Sequence, residues 1–136
     1  MKKSILRFAL AALPLIVLFS SCTNEPGPGG KSSIAGRLHA TNVWNSNCVA
    51  ITNGDEYYVP DEDVYIVYGD EAAYGDRVRT GPDGTFLFRY LRVGTYKVYA
   101  YSNDCDEPSG KSAVIMTVDI TEKNQEVDLG TLEIEK

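Results

Sequence analysis

The chain predicts an all-β fold, a seven-stranded Greek-key β-sandwich, on three observations. From Ile34 onward the apolar residues recur with period two, and nowhere does a helical period run for three turns. Turn signals built from Gly, Pro, Asn and Asp separate the apolar runs roughly every 8–12 residues. The runs themselves are rich in Val, Ile, Tyr and Phe, side chains that suit a pleated, half-buried surface. A closed small barrel competes with the sandwich, because both read as short alternating strands.

The amino terminus precedes the folded domain. Lys2, Lys3 and Arg7 form a basic region, Phe8 to Phe19 is an apolar run, and Ser20 and Ser21 lead into Cys22. A run of that length falls short of the ~20 residues that span a bilayer and reads as a secretory signal over residues 1–21. A Cys directly after small residues resembles the lipobox of bacterial lipoproteins. The resemblance implies that Cys22 is lipidated and becomes the mature terminus. Residues 22–33 then form the lipidated Cys and a flexible Gly- and Pro-rich tether, and 34–136 the domain. The implied location is the cell envelope. Thr23 stands where an Asp would retain some lipoproteins at the inner membrane, which leans toward the outer one.

The strands follow in order. Ile34, Gly36 and Leu38 alternate with Ala35, Arg37 and His39 as a first strand. Thr41 to Pro60 is a polar insertion, expected as a loop or protruding hairpin. Val64–Tyr68 is apolar and aromatic on both faces, as in a central strand. Asp76–Thr80 is a short strand. The turn Pro82-Asp83-Gly84 precedes a strand with Phe86, Phe88 and Tyr90 on one face and Leu87 and Arg89 on the other. Next, Tyr96, Val98 and Ala100 alternate with Lys97, Tyr99 and Tyr101. Val114, Met116 and Val118 mark the sixth strand. In the seventh, Val127 and Leu129 fall out of phase with Leu132 and Ile134, which places a bulge at Gly130.

From Cys22 onward ten bases face nineteen acids. So acidic a chain repels nucleic-acid phosphates and anionic lipid headgroups, and nucleic acid is excluded as a partner. Membrane attachment is expected through the lipid alone.

Ile-x-Gly-x-Leu at 34–38, Asp63-Val-Tyr-Ile-Val, Thr80-Gly-Pro-Asp-Gly-Thr-Phe-Leu-Phe and Leu91-Arg-Val-Gly-Thr-Tyr-Lys-Val together resemble the carboxypeptidase-regulatory-like domains of the transthyretin-like superfamily. The resemblance implies the sandwich and a non-enzymatic accessory role. The specialised chemistries of the superfamily do not transfer. The inward first-strand sites are Ile34, Gly36 and Leu38, where isopeptide-forming adhesin domains need a Lys, and the last strand has no Asn. The Tyr-Arg-Gly-Ser terminus of the urate-pathway relatives is absent too.

With Cys22 assigned to lipid, Cys48 and Cys105 remain in an oxidising compartment. The loops that carry them leave one end of an up-and-down sandwich, so a disulfide is expected between them. The Pro82–Gly84 turn is expected at that end as well. It would gather acids from three loops, Asp61, Asp63, Asp83, Asp104 and Asp106 among them, as a weak Ca²⁺ candidate without the regular Asp-x-Asp-x-Asp-Gly spacing. Solvated acidic loops are the bland alternative. Trp44, Tyr57 and Tyr58 sit in the first loop, as a ligand platform or as a lid on the core. The lone His39 shows no partner in the sequence, and no Gly-x-Ser-x-Gly, His-Glu-x-x-His or phosphate loop is present, so no enzyme is expected. The expectation is a binding or scaffolding module for a protein partner. A subunit of a surface assembly, or a small glycan-binding module using the loop aromatics, is the alternative.

Overall fold

Eight strands run through residues 25–136, the part of the chain that the structure, a computed structural model, describes. They are β1 (Pro28–Thr41), β2 (Glu56–Tyr58), β3 (Asp63–Tyr68), β4 (Asp76–Arg79), β5 (Thr85–Leu91), β6 (Gly94–Asn103), β7 (Lys111–Ile120) and β8 (Glu126–Glu135). The signal segment and the lipidation residue Cys22 lie outside the described residues. The strand beyond the seven expected is β2, three residues inside the polar insertion, which pairs with His39–Thr41 where β1 outruns β5.

The strands form two sheets of four. In the first, β1 is central: β8 lies parallel along one edge, and β5 and then β2 lie antiparallel along the other. The second is antiparallel, in the order β4-β3-β6-β7. The inward faces are those the alternation indicates. Ile34, Leu38, Ala40, Phe86, Phe88, Leu132 and Ile134 meet Val64, Ile66, Tyr96, Val98, Ala100 and Ile120, all buried. Each large aliphatic or aromatic side chain buried there contributes roughly 1.5–3 kcal/mol.

Two bulges set the phase. At Gly130, Ala35 pairs with Asp128 but Arg37 with Thr131, so one extra residue sits in β8 as expected; Gly130 has φ +81°. The second was not expected. Ile34 pairs with Phe88 and Ser32 with Leu91, which inserts a residue in β5 at Tyr90, where φ is +60°. Tyr90, expected inward beside Phe86 and Phe88, is therefore 69% exposed, and Leu91 takes the core position. An inserted residue breaks the period of two on which the inward reading rested.

The tether expected to reach Ser33 is corrected: β1 begins at Pro28. The Gly27 N–H donates to Tyr96 Oη (2.9 Å), and the Arg92 N–H donates to the Gly27 carbonyl (2.9 Å). Ser32 is buried, and its hydroxyl donates to the Glu122 carbonyl (3.2 Å) and accepts the Gln125 N–H (3.0 Å). Glycine-rich composition cannot build a core, but it permits close backbone packing. A Cβ on Gly30 would stand 1.8 Å from the Leu91 carbonyl oxygen.

Candidate functional site on the outer face of the second sheet

Cys48 and Cys105 mark one end of the sandwich, the end at which the sequence places the candidate loops. The two cysteines form a disulfide with Cα atoms 5.6 Å apart, closing 57 residues. The insertion is a small hairpin: Trp44 bridges Ala50, and Asn45 Oδ1 accepts the N–H groups of Asn47 (2.9 Å) and Val49 (3.0 Å). The Trp44 indole N–H donates to Glu135 Oε2 (3.1 Å), so the ring is half-buried against the chain terminus. A cleft of about 340 Å³ joins Trp44 and Asn45 to the disulfide. Tyr57 and Tyr58 do not complete a platform with it. They are neighbours on β2 and point to opposite faces. Tyr58 meets His39 edge-on (5.2 Å between ring centres), with the Arg37 guanidinium 3.9 Å over its ring.

The acids do not converge either. Leu38 donates its N–H to the Gly84 carbonyl (2.8 Å), so the Pro82–Gly84 turn lies beside β1 and not at its tip. Asp63 accepts from Arg77 (3.2 Å) and Arg79 (3.2 Å), and Asp61 accepts from Arg79 (3.0 Å). Asp83 accepts from the Thr85 hydroxyl (2.7 Å), and the Thr85 hydroxyl and N–H hold its carboxyl below the usual range. Asp104 accepts the Asp106 N–H (3.1 Å). Among the described residues, no three His, Cys, Asp or Glu side chains gather as a metal site. The five acids expected together are thus held apart among the described residues: β3–β4 register sets Asp63 against Arg79, and Asp61, Asp83 and Asp104 each accept from a local donor. His39 has a partner after all. The parallel β1–β8 register brings Glu133 Oε2 to 2.6 Å from Nδ1, yet among the described residues no hydroxyl or thiol is bonded to the ring's other nitrogen.

The most distinctive surface is one that the sequence does not single out. Cross-strand register sets Arg77 opposite Tyr65, Tyr65 opposite Tyr99, and Tyr99 opposite Ile115, one row across β4, β3, β6 and β7 on the outer face. Tyr101 opposite Ala113 forms the row above; Val67, Lys97 and Thr117 form the row below. The Tyr65 and Tyr99 rings stack at 4.9 Å and 12°, and Tyr101 and Tyr74 meet Tyr65 edge-on at 5.7 and 5.0 Å. Ile115 is 55% exposed and Tyr74 52%, so the cluster is open to solvent. Lys97 pairs with Asp70 (3.2 Å) at one margin and Arg77 with Asp63 at another. Burial first, and then the Tyr101, Tyr65 and Tyr74 phenols, push the Tyr99 hydroxyl up to about 12, so it stays a neutral donor at physiological pH. The signal was present in the alternation of Tyr99 and Tyr101 with Val98 and Ala100. It says which face these rings occupy but not which rings share it.

No family model matches the chain, and no curated protein matches it. Among solved structures, the chain is similar to a candidate carbohydrate-binding protein of Pseudomonas aeruginosa, at 13% identity and a TM-score of 0.47, over 81% of this chain and 91% of that one. A likeness at that level carries no argument about what this chain binds.

Proposed function

We propose that this chain is a non-enzymatic recognition module of the bacterial cell envelope. It is anchored by lipid on Cys22 and binds a protein partner through the tyrosine face of its second sheet. The observation that carries the reading is the row Arg77, Tyr65, Tyr99, Ile115, with Tyr101 and Tyr74 packed around it. Clustered tyrosines with an arginine at one end of the row and an exposed aliphatic residue at the other match the composition of interface hot spots. A protein is favoured over a glycan because Tyr65 and Tyr99 turn ring faces toward each other, and a sugar ring stacks on a free face. The resemblance to carboxypeptidase-regulatory-like domains, and Greek-key connectivity with it, is supported by a β8-β1-β5 sheet packed on a β4-β3-β6-β7 sheet. It is supported further by the burial of Phe86, Phe88, Leu91 and Tyr96, the apolar positions of the quoted motifs.

A photo-crosslinker placed at Thr117, beside the row, is the test in cells. The expected result is one reproducible protein adduct that Tyr99→Ala with Tyr101→Ala reduces at least tenfold, in line with the ~2 kcal/mol or more carried by aromatic anchors. The same crosslinker at Thr131, on the other sheet, should give none. Equal adducts from both sheets, or adducts indifferent to the tyrosine substitutions, refute the reading. Retention on envelope polysaccharide that depends on the same tyrosines would favour the glycan alternative.

A further inference from the structure

We infer that the end of the sandwich from which the chain leads back to Cys22 is a docking surface for the anionic headgroups of the membrane, built from Lys31, Arg89, Arg92 and Lys123 around Tyr90. The inference rests on the lipid-anchor reading above. Of the ten lysines and arginines after Cys22, Arg37, Arg77, Arg79, Lys97 and Lys136 are paired with carboxylates. Among the described residues, Lys31, Arg89, Arg92, Lys111 and Lys123 are not. Four of these five line two adjoining clefts that share Lys31 and Ser32. The first, about 370 Å³, adds Arg92 and Lys123; the second, about 350 Å³, adds Arg89 and Tyr90. Glu126 borders the second cleft and Glu122 stands on the adjacent turn, so the cations outnumber the acids locally in a chain that is acidic as a whole. Like charges crowded without counter-charges destabilise a fold, and an external anion relieves that repulsion.

Charge complementarity favours a membrane surface as the occupant. Within the two clefts four cations stand against Glu126, while Glu25, Asp70, Glu71 and Asp119 stand elsewhere on the same end, so an anionic plane is attracted to the cleft lining in particular. The net-charge expectation that lipid headgroups are repelled therefore fails at the cleft lining, where the local balance is cationic. Distance agrees. Gly27 is pinned to Tyr96 and Arg92, which leaves only residues 23–26 as a spacer. At ~3.5 Å per residue that spacer reaches at most about 18 Å, roughly two screening lengths at physiological salt. Tyr90, on its bulge and 69% exposed, offers an amphipathic ring of the kind that settles at headgroup depth.

The test uses the chain from residue 22 onward with Cys22→Ser, which retains every core residue from Ile34 to Ile134 and lacks the acyl chain whatever Cys22 does in the cell. It is sedimented with vesicles of phosphatidylcholine alone or mixed with phosphatidylglycerol. Binding to the mixed vesicles only, reversed by high salt, is expected. Each cation removed should weaken it about fivefold, as for basic residues at an anionic bilayer, so Lys123→Gln and Arg92→Gln each do so while Lys111→Gln does not. Equal binding to neutral vesicles, or no response to Lys123→Gln and Arg92→Gln, overturns the inference. So does stabilisation by inorganic phosphate without vesicle binding, which would mark a small-anion site. The mass of Cys22 in the native exported chain is measured separately. An unmodified Cys22 refutes the anchor, while the vesicle result still decides the cleft.

Discussion

Tyr96→Phe tests how the amino-terminal segment is held. The ring of Tyr96 is fully buried between the sheets, and phenylalanine keeps its volume, so no cavity forms. What disappears is a hydroxyl that accepts the Gly27 N–H at 2.9 Å and donates to the Arg92 carbonyl at 2.8 Å. Gly27 is itself buried, so its N–H loses its partner where water does not readily replace it. An orphaned buried donor costs about 1–3 kcal/mol. A loss of about 2 kcal/mol corresponds to a fall in Tm of about 8 °C for a chain of this size. Thermal unfolding followed by circular dichroism measures the shift, and hydrogen exchange at Gly27 localises it. The second measurement matters, because strand pairing beyond Ser32 should hold while residues 25–30 gain exchange. A shift under about 2 °C with Gly27 still protected would show that the hydroxyl does not hold this segment.

Three further outcomes follow from the same geometry. Replacing Cys48 and Cys105 by serine should cost about 4 kcal/mol on the chain-entropy model for a loop closed over 57 residues; urea unfolding with and without reductant reads this, and identical midpoints would contradict it. Gly84→Ala and Gly130→Ala should separate. Both glycines have positive φ (+75° and +81°), but a Cβ at Gly84 stands 2.6 Å from the Leu38 carbonyl oxygen and one at Gly130 meets nothing within 4 Å. The second change should therefore cost about 1–2 kcal/mol of backbone strain and the first clearly more, and equal unfolding midpoints would refute the difference. Stability should also fall at alkaline pH. The hydroxyls of Tyr68, Tyr96 and Tyr99 are raised, chiefly by burial, Tyr99 from 10.0 to about 12. Above pH 10 the unfolded phenols ionise while the folded ones keep their protons, so the unfolded state binds fewer protons and each further rise in pH favours it. A denaturation midpoint flat between pH 9 and ~12 would contradict this.

Alternation made Ile34, Leu38, Val64, Ile66, Phe86, Phe88, Tyr96 and Val98 legible as core, because a period of two assigns each residue a face without any knowledge of neighbours. The phase slip at Gly130 was legible for the same reason, and the Cys48–Cys105 bond followed from counting strand directions. Tyr90 was misread because a bulge made by a non-glycine residue leaves no compositional mark. The glycine-rich start was misread because composition reports flexibility in an isolated chain, while the Tyr96 hydroxyl that holds it lies 69 residues away in sequence. Trp44, Tyr57 and Tyr58 were grouped because they are close in sequence, which carries little weight once β2 turns two of them to opposite faces.

By itself, then, the sequence determined an all-β chain with two apolar faces to bury, a cysteine pair to join, and a net acidic charge. Register and topology, which are long-range, decided the rest. Only strand pairing lines Tyr65, Tyr99 and Ile115 in one row, assigns Asp63 to Arg77 and Arg79, and leaves Lys31, Arg89, Arg92 and Lys123 together without carboxylate partners among the described residues. A one-residue slip in any of those pairings would send the same side chains to the other face of the sheet.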